Sequence, residues 1–410
     1  MLDCPLRWFA GITALLALAD AHAGLSLQDT SRLAREQAPA MLAQQLALAG
    51  AQSSRGAAGT LPDPRLTLGV DNLPISGADR YSLTRDFMTM AKIGLMQEVP
   101  NSAKREAREA SAQARVEREQ AMLAVVQLAV QRDAMLAWLA VHYAERRVAQ
   151  LADLERENQL LQDTLDARVA AGRAMPAERT MARQEALALA DRRDDASRDV
   201  AKARAALRRW VGVRADETLD GEPAVGALSA EQVRADLHRH AEIAPYTAMQ
   251  AVAQAEAREA DAEQRGDWGW EVSYNKRGSQ YGDMVSFQFN FDLPWQRGQR
   301  QQPQLLAKQK EAQRIEAERD DTMRRHSEEL EAQLAELQAL DNQSARLSGS
   351  GQALAAERVA LALASYQAGR GDLGAVLAAR REAVDTKLRL IDLDAQRAAL
   401  RVRLTTLVAE

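Results

Sequence analysis

The side chains in this sequence most suggestive of chemistry are three methionines, Met88, Met90 and Met96, because closely spaced thioether sulfurs suit soft cations such as Cu(I) and Ag(I). All three lie on or beside a strand pattern, however, where methionine commonly fills wall packing, and we assign no metal site. The five histidines, His22, His142, His238, His240 and His326, offer no ligand constellation. His238 and His240 fall on an expected helix, where positions two apart face away from each other. No nucleophile paired with a base, phosphate loop or carboxylate dyad stands out, so we read the chain as neither an enzyme nor the holder of a cofactor. A second kind of chemistry sits at Ala171-Gly172-Arg173 and Ala368-Gly369-Arg370. Glycine lets a chain reverse tightly, and arginine is suited to hold a neighbouring carboxylate or backbone group. The plainer reading is a helix C-cap followed by a solvated charge.

Those two turns are expected at the ends of unusually long helices. Only 4% of the 410 residues are aromatic while 27% are charged, a composition that fits long helices packed through narrow seams better than a conventional globular core. A net charge of -5 gives no sign of nucleic-acid binding. At the start, Arg7 precedes the apolar stretch Trp8 to Ala19, and Ala21-His22-Ala23 offers a small-x-small cleavage site. We therefore expect residues 1–23 to be a signal peptide. The single cysteine, Cys4, lies inside that segment and away from the cleavage position, so the exported chain is expected to have no thiol and no lipid attached there.

The remainder is written twice. A first repeat spans 24–210 and a second 229–410, each expected as helix, hairpin, very long helix, tip turn and helix, with a connector over 211–228 that is rich in Gly and Asp and contains Pro223. Ser26 and Ser229 open the first helix of each copy, which carries Pro39 or Pro245. Pro100 and Pro294 follow the hairpins, expected at about 64–98 and 268–293, and the tip turns fall at about 171–175 and 368–372. At 1.5 Å per residue, the helix from about Asn101 to Ala171 is about 105 Å long. Two shorter helices stacked end to end, about Ser26 to Ala58 and Met175 to Val211, match it; Ser229 to Gln264 and Asp372 to Ala409 do the same opposite Arg297 to Gln367. Leu340, Leu347, Leu354 and Leu361 recur every seven residues, as do Leu154 and Leu161, which predicts a coiled-coil seam. Gly349 and Gly351 predict a bend or loosening in the second long helix.

In the second hairpin Trp268, Trp270, Val272 and Tyr274 alternate with Gly269, Glu271, Ser273 and Asn275. Val285, Phe287, Phe289 and Phe291 alternate with Ser286, Gln288, Asn290 and Asp292 on the return. The first hairpin is weaker, with Leu66, Leu68 and Val70 on one face and a return from about Phe87 to Gln97. A hairpin in water has no reason to gather Trp, Tyr and Phe on one face, whereas a lipid-facing barrel wall does. Four strands cannot close such a barrel, and an open edge in lipid leaves backbone groups unpaired. The chain must then oligomerise, and alternation alone does not choose between dimer and trimer.

The doubled pattern, the Leu61-Pro62-Asp63-Pro64 entry, the Gln97-Glu98-Val99-Pro100 exit and the tip sequences Val169 to Arg173 and Tyr366 to Arg370 together resemble the TolC-like outer-membrane efflux family. The resemblance covers the mature chain. It implies a mainly α fold with a small β part: a homotrimer whose long antiparallel coiled-coil helices form an α-barrel continuous with a 12-stranded outer-membrane β-barrel. It also implies partners, a periplasmic adaptor and an inner-membrane RND pump, and a role for Val169, Gly172, Arg173, Gly369 and Arg370 in the tips that meet the adaptor. The lipid-facing wall is then Trp268, Trp270, Tyr274, Phe287, Phe289 and Phe291. The stretch from Asp71 to Glu98 that holds the three methionines is similar to members serving heavy-metal pumps, so the expected cargo is heavy-metal cations. Organic drugs or a secreted polypeptide are the alternative cargo, and a periplasmic coiled-coil scaffold is the alternative of another class.

Overall fold

The computed structural model describes residues 24–223 and 229–407. Cys4, Arg7, His22 and the expected cleavage after Ala23 lie outside the described residues. The first repeat contains α1 (Leu27–Gln37), α2 (Pro39–Ala58), β1 (Arg65–Asp71), β2 (Met90–Val99), α3 (Ser102–Ala170) and α4 (Pro176–Val211). After a 3-10 turn, Gly212–Asp216, the second contains α5 (Ala230–Ala235), α6 (Ala244–Ala262), β3 (Trp268–Lys276), β4 (Met284–Phe291), α7 (Gln301–Arg346), α8 (Gln352–Gln367) and α9 (Leu373–Thr405).

The opening helix of each repeat is broken rather than continuous. Ala38 adopts extended backbone and Pro39 begins α2. In the second copy, six residues of α5 and a 3-10 turn, Asp236–Arg239, precede α6, with Pro245 in its first turn. Proline lacks the amide hydrogen a continuing helix needs and clashes with the preceding turn, so each segment restarts at its proline.

The four strands form one antiparallel sheet in the order β1-β2-β3-β4, which is not closed into a barrel. Because α2 leads into β1, α3 leaves β2, α6 leads into β3 and α7 leaves β4, the helices inherit the same order. α2 and α4 pack on one side of α3, while α6 and α9 pack between α3 and α7 with its continuation α8. The helices thus lie side by side in a strip, with a strand edge and a helical flank unpartnered at each side among the described residues.

An 18-residue window in α3 is long and apolar enough to cross a membrane by length and composition. Of that window 28% is buried, and Val130, Ala134, Trp138, Leu139 and Val141 of α3 are buried against other helices. Trp138 is fully buried in a cluster with Leu25, Leu207, Val211 and Val402, and its indole Nε1 donates to the Leu25 carbonyl at 2.8 Å. Leu25 also bridges in parallel to Leu219 of the connector. A waist is thus tied around the middle of the strip, where the broken helices leave backbone groups needing partners.

The seam in the second repeat departs from the leucine heptad. Leu337, Leu340 and Ser344 are buried, with Leu347 against the same cluster as Leu393 and Leu400 of α9. Then Leu347–Gly351 forms a π-helical turn between α7 and α8. One extra residue in the turn advances everything beyond it by about 100°. Below it the inward positions are Ala355, Val359, Ala362 and Tyr366, while Leu354 and Leu361 are 63% and 64% exposed. Leu154, in the uninterrupted α3, is buried and Leu161 is half-buried.

Candidate functional site

Two surfaces hold the residues singled out by sequence: the sheet and the tips. Register places Leu66, Leu95, Val272 and Phe287 in one row across the sheet, and Leu68, Ile93, Tyr274 and Val285 in the next. Gln97, Trp270 and Phe289 form a further row, as do Val99, Trp268 and Phe291. The opposite face carries Thr67, Gly94, Ser273 and Ser286 in one row and Arg65, Met96, Glu271 and Gln288 in another. First-hairpin and second-hairpin patterns therefore merge into one apolar face and one polar face.

Burial on the two faces is inverted relative to a soluble protein. Leu66, Leu68, Ile93, Leu95, Tyr274, Trp268 and all three strand phenylalanines are exposed, with Trp270 half-buried. On the polar face Ser273 and Asn275 are buried, and Lys92 pairs with Glu271 at 2.7 Å beside Gly94. A Cβ on Gly94 would stand 2.7 Å from the Glu271 carboxylate, so a side chain there would push that carboxylate from its present place beside Lys92. Asn275 donates to the Ser286 hydroxyl at 3.0 Å. An extended apolar face of this area in water would be strongly unfavourable, at roughly 25 cal/mol per Å².

At the hairpin foot, Asn101 caps α3: its side-chain oxygen accepts from the Lys104 amide at 2.9 Å, and its own amide donates to Asp267 at 2.9 Å. Lys104 completes the link to Asp267 at 3.2 Å. Above, the loop between β1 and β2 is fastened to the shorter β3–β4 loop through Arg277, whose Nε donates to the Phe87 carbonyl at 3.1 Å.

The tips are two copies of one turn. Gly172 and Gly369 have φ of 66° and 68°. The Arg173 amide donates to the Arg168 carbonyl at 2.7 Å and the Arg370 amide to the Ser365 carbonyl at 3.0 Å, while each glycine amide donates to the carbonyl three residues back. This is the six-to-one and five-to-two bonding that ends a helix on a left-handed glycine. The side chains of Arg173 and Arg370 are exposed and make no ion pair among the described residues, and Val169 is half-buried. The contact that joins the two tips was not read from sequence. Arg168 donates to the Tyr366 hydroxyl at 3.3 Å and lies 5.2 Å from its ring centre. Burial, with the Glu178 carboxylate beside it, raises the Tyr366 pKa. Tyrosine among the alanines of Ala364 to Ala368 was the available signal.

The structure brings together one histidine pair that the sequence reading kept apart. His240 lies just past the 3-10 turn rather than on a continuing helix, and its ring stacks on His326 of α7 with centres 4.0 Å apart. His326 reaches Glu242 at 3.1 Å through Nε2 and Glu329 at 3.3 Å through Nδ1. Burial first, and the adjacent His326 second, push the His240 pKa down to about 4. The group lines a cleft of about 380 Å³ with Arg132, Asp133 and Arg403. His142, elsewhere, stacks on Trp138. Met88, Met90 and Met96 do not converge: Met88 is in the loop, and Met90 and Met96 are six positions apart on β2, about 20 Å along a strand. Among the described residues no group of three or more His, Cys, Asp or Glu is placed to hold a metal ion.

Neither a protein-family model nor a curated protein matches the sequence. Solved structures match across nearly all of it. A membrane protein from Pseudomonas aeruginosa is 17% identical with a TM-score of 0.79, covering 93% of both chains. CusC, described for the changes accompanying folding and transmembrane channel formation, is 16% identical with a TM-score of 0.77, covering 94% of this chain and 92% of its own. The Campylobacter jejuni CmeC outer membrane channel is 12% identical with a TM-score of 0.76, covering 93% and 84%. The chain has the fold of a TolC-like outer-membrane channel subunit.

Proposed function

We propose that this protein is the outer-membrane exit duct of a tripartite efflux system: a homotrimer whose subunits each supply four strands to a twelve-stranded barrel and one sector of a periplasmic helical tunnel. The inverted burial of the sheet carries this reading. Its apolar face fits lipid, its polar face fits a water-filled bore, and its two unpaired edges are satisfied only by neighbouring chains. Trp268, Trp270, Tyr274, Phe287, Phe289 and Phe291 form the lipid-facing wall. Val169, Gly172, Arg173, Gly369 and Arg370 form the tips that meet a periplasmic adaptor, which in turn links to an inner-membrane RND pump. The duct is a passive, non-enzymatic conduit whose energy comes from the pump.

For the cargo, organic compounds are the better-supported reading over heavy-metal cations. The methionines that suggested metal are spread along the strand and loop, and the fold likeness extends over several channels rather than centring on CusC. A conduit that bound its cargo tightly would also gain nothing in throughput. The test is light scattering of the detergent-extracted protein, followed by conductance in planar bilayers. An elongated trimer that conducts ions is expected. A protein that washes from membranes with salt and stays monomeric or dimeric in water would restore the periplasmic scaffold.

A further inference from the structure

The lower part of the second repeat displays leucines that nothing among the described residues covers. Leu354 and Leu361 project from α8, away from its contact with α9, because of the one-residue advance at the Leu347–Gly351 turn. Without that turn, the seven-residue repeat begun by Leu340 and Leu347 would have buried both against α9. The residues now facing α9 are Ala355, Val359 and Ala362, with Leu363 and Tyr366 nearer the tip. A second apolar stripe has thus been turned outward in addition to the inner one, which is unfavourable unless the outer stripe is also covered.

The covering surface is on the opposite flank of the same strip. α4 exposes Leu187, at 70%, and Met181. Heights agree: at 1.5 Å per residue Leu187 stands about 17 Å from the start of α4, between Leu361 at about 9 Å and Leu354 at about 20 Å from the end of α8. Since α7 and α8 lie beyond β4 and α2 and α4 lie beyond β1, joining the β4 edge of one copy to the β1 edge of the next brings α8 alongside α4. The pairing is head-to-tail, so each chain uses two different flanks and the contact closes only as a ring.

We infer that the Leu354 and Leu361 stripe of one chain packs around Leu187 on α4 of a second copy, and that the π turn exists to aim the stripe at that neighbour. This rests on the ring proposed above and assigns residues that seal it near the tip turns. The surface is apolar and matched in height to another flank of the same chain, which selects a second copy over a partner of different chemistry.

Cysteine cross-linking tests it in the full-length protein, whose only native cysteine is Cys4. Leu187→Cys with Leu354→Cys, oxidised in the detergent-extracted oligomer, is expected to give dimers and trimers on non-reducing gels, several-fold more than Leu187→Cys with Ala355→Cys. A disulfide requires the two Cα atoms to approach to about 7 Å or less, so the adjacent position is a stringent control. Light scattering on the same sample separates the failures. An intact oligomer without the Leu354→Cys cross-link overturns this seam and leaves the duct standing, whereas a monomer removes both; cross-linking in cells only to a different protein also overturns the seam. As a second readout, Leu354→Glu with Leu361→Glu changes residues exposed in the single chain and is compatible with its folding. Bilayer conductance is expected to rise several-fold as the lower ends separate, and unchanged conductance overturns the proposal.

Discussion

The two repeats solve the same problem at mid-height with different side chains. In the first, the break before Pro39 packs Ala38 and Met41 against Val130 and Ala134 of α3, and a fully buried Trp138 one turn further along α3 satisfies the Leu25 carbonyl ahead of α1. In the second, the break before Pro245 is closed by two stacked histidines and the carboxylates of Glu242 and Glu329. The long helices differ in the same sense: α3 runs 69 residues without interruption, whereas its counterpart yields at the turn over Leu347–Gly351. The tip turns are nearly superimposable in their bonding. What the two copies share is therefore the tip turn. What has diverged is the middle, where one copy is braced and the other is sensitive to conditions.

The largest expected effect is at the braced side. Trp138→Ala should lower stability by about 3–5 kcal/mol, the usual range for emptying a fully buried aromatic site, measured as a fall in the unfolding midpoint of the detergent-extracted protein. A loss below about 1 kcal/mol would mean that the waist does not depend on it.

The second repeat should respond to acid. His240 is neutral in the folded protein, with its pKa held down to about 4 by burial and by His326, while the unfolded chain titrates near 6.5. The unfolded state therefore takes up the proton first, and this group's contribution favours folding less as pH falls from about 6.5 towards 4. Above that window it adds no pH dependence. Up to about 1 kcal/mol per pH unit is expected within it. His240→Phe should flatten the melting temperature between pH 7 and 5, and an unchanged slope would assign the acid response elsewhere.

Replacing both Gly349 and Gly351 by alanine should sharpen the contrast between the long helices. Alanine favours helix by about 1 kcal/mol per site, but a Cβ at 351 would meet the Leu347 side chain at 2.9 Å. The expected net change is below about 1 kcal/mol, with slower amide exchange around residues 345–353. Unaltered exchange would show that the glycines are not what keeps the turn loose. Smallest of all should be Arg173→Glu with Arg370→Glu. Neither side chain has an ion-pair partner among the described residues, so chain stability should change by less than about 0.5 kcal/mol. Closed-state conductance or adaptor binding should nevertheless change, and constancy of both would remove these arginines from the mechanism.

The contrast also explains what could be read from the sequence. The sheet faces were legible because strand periodicity is short and a run of Phe287, Phe289 and Phe291 leaves one solution. The tips were legible because glycine is the residue that ends a helix at positive φ. The heptad of Leu340 to Leu361 misled, since a seven-residue spacing assumes an unbroken helix, and a single inserted residue breaks that phase without altering the spacing. The histidine pair was invisible because His240 and His326 belong to different elements and meet only where the opening helix has come apart. The Arg168 and Tyr366 contact was equally hidden, as it joins two hairpins that share no local pattern.

In the proposed duct, the greasy outer face and the two open edges of the sheet also fix an order of events. A single copy offers lipid a surface it would accept and edges it would reject, so copies must find one another before the membrane accepts them. Until then such open edges are an aggregation hazard. The appearance of working channels should consequently lag behind synthesis and rise more steeply than in proportion to the supply of subunits, making channel number per cell unusually responsive to small changes in expression.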